Sequence, residues 1–242
     1  MTKRLAAAGA ESTPETRRRF RELLFTTPGI EDHISGVIMY DETLRQAGSD
    51  GSRFPELLAA RGMIAGIKVD IGAKALAGAP GETITEGLDG LRERLAEYRR
   101  LGARFAKWRA VIAIGAHRPT GYCIAVNAHA LGRYAALCHE AGIVPIVEPE
   151  VLMDGEHSID RAEEVTGAAL RAVFAELLDQ RVLLEGIVLK PNMVLPGSDC
   201  PAQAGVSEVA ERTLGVLRRV VPPAVRGVAF LSGGQASWPP RT

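Results

Sequence analysis

Short apolar runs alternate along the chain with longer stretches whose apolar positions recur every three or four residues. The runs predict strands at Gly36–Tyr40 (GVIMY), Ile64–Asp70 (IAGIKVD), Phe105–Arg109 (FAKWR), Ile143–Glu148 (IVPIVE), Leu184–Lys190 (LEGIVLK) and Val228–Ser232 (VAFLS). Helical spacing is plainest over 87–102, where Leu88, Leu91, Leu95 and Tyr98 share a face and Gly102 provides a stop. A second helix, over 127–142, also ends on a glycine. A third, over 158–180, opens on a Ser/Asp cap, and a fourth, over 207–221, closes before Pro222-Pro223.

Strand and helix in alternation mean βα units around a parallel sheet. No G-x-G-x-x-G opens any of the helices, which weakens a dinucleotide-binding reading. No internal repeat or low-complexity tract is present. The better fit is an α/β chain of the (β/α)8 TIM-barrel type, a single domain over residues 1–242, with six of the eight strands countable.

Composition changes this picture little. Of 242 residues, 46% are hydrophobic and 24% charged, a globular balance. Lys+Arg and Asp+Glu both number 29, so the zero net charge gives no global pull toward nucleic acid or an anionic membrane. No apolar run is long enough to span a bilayer, and the basic start lacks the apolar core of a secretory signal. An Arg-rich transit peptide is the weaker alternative. Cys123, Cys138 and Cys200 are odd in number and widely spaced, which predicts neither disulfides nor a metal cluster and favours the reducing cytoplasm.

Charge placement changes the picture more. Lys68 and Asp70, Lys107 and Arg109, and Glu148 and Glu150 are each separated by one residue at a predicted strand end, and Lys190 precedes Asn192 at the same spacing. Side chains at i and i+2 share one face of a strand, and a parallel barrel builds its site at the C-terminal ends of its strands. Any one pair is most often a solvated strand end or a salt bridge. Four on four strands predict a polar mouth.

A free lysine is protonated at neutral pH and a poor nucleophile, whereas burial and neighbouring cations favour the neutral amine. Lys190, with an apolar run behind it and Lys107 expected nearby, is the candidate to attack a carbonyl and form a Schiff base. The resulting iminium is an electron sink for C–C cleavage. Glu148 or Glu150 is the candidate general acid, one carboxylate keeping the other protonated. The segment FLSGGQ, with Ser232, Gly233 and Gly234, follows the last predicted strand. Its backbone N–H groups could cradle a phosphate, although a plain turn reads as well. Arg4 and Arg17 are further candidate phosphate contacts; most arginines in isolation are surface residues.

The segments GIKVD, FAKWR, PIVEPE, LLEGIVLKPNMV, VPPAV and FLSGGQ, in this order and at these intervals, resemble class I fructose-bisphosphate aldolase. GVIMYDETL and GETITEGLDGL fit the same family, and the likeness runs from about Lys3 to Gln235, leaving 236–242 unmatched. The resemblance implies a (β/α)8 barrel that reversibly cleaves fructose 1,6-bisphosphate to dihydroxyacetone phosphate and glyceraldehyde 3-phosphate in glycolysis, with no metal or other cofactor. It implies Lys190 as the Schiff-base lysine, Glu148 as the acid/base, Glu150 as its companion, and Lys107 as a substrate-contacting lysine. Arg109, Lys68 and Asp70 match the charged residues of the pocket. Ser232, Gly233 and Gly234 match the phosphate loop, Arg4 an arginine of the other phosphate, and Arg17 a substrate-binding residue.

Relative to that pattern, the first strand with its aspartate and the last strand with its phosphate-binding arginine are not found, and the likeness leaves off at ASWPPRT. Six strands would leave two open sheet edges, so the family's homotetramer is not carried over. The alternative to an aldolase is therefore a catalytically impaired remnant with a binding role or none. A transaldolase-like lyase would need these motifs to coincide by chance.

Overall fold

The computed structural model describes residues 2–230. Its strands, in chain order, are β1 (Gly36–Met39), β2 (Ile64–Lys68), β3 (Gly72–Ala75), β4 (Thr83–Glu86), β5 (Phe105–Ile112), β6 (Val144–Val151), β7 (Val188–Leu189) and β8 (Gly227–Val228). The helices are α1 (Thr2–Ala7), α2 (Pro14–Thr26), α3 (Asp41–Arg45), α4 (Phe54–Ala60), α5 (Leu91–Arg100), α6 (Gly121–Glu140), α7 (Ile159–Asp179) and α8 (Val206–Val220). Six strands pair in parallel in the order β1-β2-β5-β6-β7-β8, as in an incomplete (β/α)8 barrel. No helix of the described residues is long and apolar enough to cross a membrane.

Local chemistry sets the helix ends. The Thr120 hydroxyl accepts from Cys123 N–H at 3.1 Å to open α6, and Ser158 accepts from Arg161 N–H at 3.2 Å to open α7. Gly102 and Gly142, at φ 107° and 66°, take the left-handed conformation that ends α5 and α6. The apolar period hides the first turns of α6, which begins at Gly121 rather than near 127, because Cys123-Ile124-Ala125-Val126 is apolar all round.

Burial alternates strictly along β5. Ala106, Trp108, Ala110 and Ile112 are buried on one face, whereas Phe105, Lys107, Arg109 and Val111 are half-buried on the other. The first face packs on α6, where the Trp108 and Tyr134 rings stack with centroids 5.5 Å apart. Such a pair adds about 0.5–1.5 kcal/mol beyond its burial. On the open face, Phe105 lies across from Gly66, where any Cβ would sit 2.2 Å from the ring.

Several strands differ from expectation: β2 stops at Lys68 rather than Asp70, and β8 pairs over Gly227–Val228 where Val228–Ser232 was expected, residues 231–232 lying outside the described residues. β5 and β6 run on to Ile112 and Val151, whereas β7 shrinks to two residues. Leu184–Gly186 forms a short 3-10 turn instead, with the Gly186 carbonyl 3.2 Å from His139 Nε2. The β3–β4 hairpin has no apolar alternation to announce it. It takes over where β2 stops pairing with β5: the Thr85 and Thr83 hydroxyls donate to the Arg109 and Val111 carbonyls at 2.7 and 3.0 Å. Buried Glu82 pins the hairpin to the start of α6, its two oxygens accepting from Thr120 N–H and Oγ1 at 2.6 Å each.

Candidate active site

The sheet register brings the charged pairs together on the open face. Arg109 is across from Glu148, and continuing the Ile146–Val188 and Val147–Leu189 pairing puts Glu148 across from Lys190. The Lys190 ammonium donates to Glu148 Oε1 at 2.6 Å. Lys107 Nζ stands 2.7 Å from Oε2, an ion contact off the hydrogen-bonding direction. The Glu148 side chain is only 2% exposed, against 12% for Lys107 and 20% for Lys190. One buried carboxylate thus bridges two ammonium groups, which is how a buried charge is tolerated.

Beside this bridge, Glu150 takes a short hydrogen bond from Arg109 Nε. That bond holds the guanidinium above its ordinary range, against the opposing effect of burial. On β2, Lys68 Nζ reaches Asp70 Oδ1 at 2.5 Å and lies 6.0 Å from the centre of the Tyr40 ring. The other Asp70 oxygen accepts from Arg109 N–H at 3.4 Å, which ties this pair to the next strand. A cleft of about 360 Å³ opens beside Arg109 and Glu150, walled by Leu152, Met153, Met193 and Ser198. A larger cleft of about 840 Å³ lies along α2, beside Arg18 and Phe20, away from these groups.

Three expectations are corrected. Lys107, Arg109 and Glu148 are not at strand ends: β5 and β6 continue three residues past Arg109 and Glu148, so these side chains stand below the rim. Glu148 and Glu150 each contact cations rather than one another, Glu148 with Lys107 and Lys190 and Glu150 with Arg109. Lys190 has a carboxylate beside it as well as the expected cation. Arg17 is not part of the group; it pairs with Glu42 at 2.6 Å and with the Ser12 carbonyl at 2.9 Å. Arg4 is in α1, but its side chain lies outside what is described, and Ser232, Gly233 and Gly234 lie outside the described residues. Tyr40, beside Lys68, was not singled out from the sequence; its one signal was its place at the end of GVIMY.

The three cysteines are free, and Cys123 and Cys138 are buried. Burial pushes the Cys123 thiol up to about 11, with Glu82 adding to it, and raises Cys138 further. Neither is an activated nucleophile. Among the described residues, no group of three or more His, Cys, Asp or Glu is placed to hold a metal ion. The arrangement can present an amine to a carbonyl and accept or return a proton from the same carboxylate.

Known proteins share this fold and sequence. A family model described as glycolytic, fructose-bisphosphate aldolase class-I, matches residues 1–238. Over 235 residues the chain is 58% identical to a probable fructose-bisphosphate aldolase class 1 of Xylella fastidiosa, covering 97% of this chain and 70% of that protein. Over 234 residues it is 55% identical to cytosolic fructose-bisphosphate aldolase 5 of Arabidopsis thaliana, covering 97% and 65%. The aldolase of Plasmodium falciparum, solved in a ternary complex with TRAP and a small-molecule inhibitor, matches with a TM-score of 0.94 and 47% identity over 97% of this chain and 68% of that one.

Proposed function

The chain belongs to the class I fructose-bisphosphate aldolase family, lyases of glycolysis that act on sugar phosphates, and from that premise we propose how its residues divide the work. Lys190 is the nucleophile. Its neutral amine adds to the C2 carbonyl of fructose 1,6-bisphosphate, the C–N bond forms, and the carbonyl oxygen leaves as water after taking up protons. Glu148 accepts the proton that Lys190 must lose and supplies one to the departing oxygen, while Lys107 remains as its counter-charge. Electrons of the C3–C4 bond then flow into the iminium. The C4 hydroxyl gives its proton to Glu148, left ionised by the dehydration, glyceraldehyde 3-phosphate departs, and the enamine left on Lys190 is protonated in turn and hydrolysed to dihydroxyacetone phosphate.

Arg109 and Lys68, each half-satisfied by one carboxylate, are the cations available to substrate oxygens, with Glu150 and Asp70 fixing their positions. The phosphate-loop roles of Ser232, Gly233 and Gly234, and the substrate roles of Arg4 and Arg17, rest on the resemblance alone. For Arg17 the substrate would have to draw it from Glu42. A cytosolic location follows the naming of the Arabidopsis relatives, and no nucleic-acid or membrane partner is proposed. The reading of a non-catalytic remnant is not favoured by a likeness to aldolases sustained over 97% of the chain.

The observation that carries the assignment is the bridge of Lys107 and Lys190 on buried Glu148. Borohydride reduction in the presence of dihydroxyacetone phosphate, followed by peptide mass mapping, tests it. A reduced adduct on Lys190 is expected. A soluble, folded protein that gave no adduct there would overturn the assignment.

A further inference from the structure

The strand that carries Lys190 is the least supported part of the site. β7 shares only two registered pairs with β6, followed by Lys190 N–H donating to the Val147 carbonyl at 2.8 Å. In a parallel ladder the next rung would run from the N–H of residue 149 to the Lys190 carbonyl. Residue 149 is Pro149 and has no N–H, so that rung is missing. A proline of β6 therefore ends the backbone ladder just where the amine and its carboxylate must be held.

A side chain resumes the connection. Asn192 is buried, and its Oδ1 accepts from Val151 N–H at 3.1 Å, the next donor of β6 on that side. Its Nδ2 donates to Thr166 Oγ1 on α7 at 3.1 Å and to the Met193 carbonyl at 3.0 Å. All the donor and acceptor capacity that this amide uses is spent on β6, on α7 and on its own loop.

We infer that Asn192 is a positioning residue for the imine-forming lysine: its amide resumes the strand connection one rung beyond the deleted one and fixes Lys190 against Glu148. This rests on the assignment of Lys190 as nucleophile. Asn192 does not touch the amine or the substrate carbonyl; it sets the spacing of the two strands on either side of the break.

The test is the rate of borohydride trapping with dihydroxyacetone phosphate, together with kcat and KM for fructose 1,6-bisphosphate, across a short series on the full chain. Asn192→Ala should slow trapping and kcat together by about 10–100-fold, the scale of a small misplacement of a reacting group, with KM changing far less. Asn192→Asp keeps the acceptor for Val151 N–H and should recover much of the rate. Thr166→Val removes only the Nδ2 partner, leaves the acceptor in place, and should give a smaller loss in the same direction; it serves if Asn192→Ala does not fold. Wild-type trapping of Lys190 with an unchanged rate in folded Asn192→Ala would overturn the inference. So would equal slowing in Asn192→Ala and Asn192→Asp. An absence of wild-type trapping would instead overturn the assignment of Lys190, so the two failures are distinguishable.

Discussion

The two faces of β5 and β6 show how one pair of strands serves two purposes. On the helix-covered face, Trp108, Ala110 and Val147 are buried among apolar neighbours. On the open face, one residue away in each case, Lys107, Arg109 and Glu148 are held by ion contacts. Apolar packing is non-directional and its cost of loss scales with volume, whereas the charged face depends on distances of a few tenths of an ångström. The difference teaches that adjacent residues of one strand should separate cleanly into those that hold the fold and those that hold the chemistry.

The largest effect expected is on the open face. Lys190→Met should abolish the borohydride-trapped adduct while leaving the thermal unfolding midpoint near that of wild type, because Glu148 retains Lys107. Retention of an adduct at another lysine in mass mapping would break the division. Glu148→Gln should slow trapping by about 10²–10⁴-fold, the range of a lost general acid or base, and leave two lysines facing each other without a counter-charge. On the covered face, Trp108→Ala should cost about 3–5 kcal/mol in urea denaturation, as large-to-small core changes do. The folded fraction should still trap Lys190 at close to the wild-type rate.

The smallest effect concerns the rim. The loops after β6 and β7 are stitched by three backbone bonds, from Gly197, Ser198 and Asp199 N–H to the His157, Met153 and Gly155 carbonyls at 2.8, 2.7 and 2.9 Å. Burial pushes the His157 imidazole below its ordinary 6.5, and Arg161 adds to this. A group whose value is depressed in the folded state contributes stability above its unfolded value and loses it as pH falls through the folded one. Thermal midpoints should therefore fall modestly as pH drops below 6.5, and His157→Gln should flatten that slope. A slope unchanged in the variant would place the acid sensitivity elsewhere.

Much of the site was legible because charges are conspicuous in apolar strands. Lys107 and Arg109, or Glu148 and Glu150, at i and i+2 announce a shared face before any partner is known. Their partners were not legible, since the pairing of Glu148 with Lys107 and Lys190 depends on sheet register. The β3–β4 hairpin was hidden for another reason: Thr83 and Thr85 act through hydroxyls on the β5 carbonyls, and no apolar alternation marks such a contact. Asn192 read as an amide sharing the strand face of Lys190, and its bond to Val151 was not legible because the need it meets is created by a proline on a different strand.

The contact between Gly66 and Phe105 has a consequence for how these sequences can diverge. The ring occupies the space of the missing side chain, so Gly66 cannot gain one while the ring stays. Gly66→Ala should be destabilising in this protein and tolerated beside Phe105→Ala, a strongly non-additive pair. In related chains, the size of one residue should vary inversely with that of the other, a covariation written by steric exclusion rather than by any shared role in the reaction.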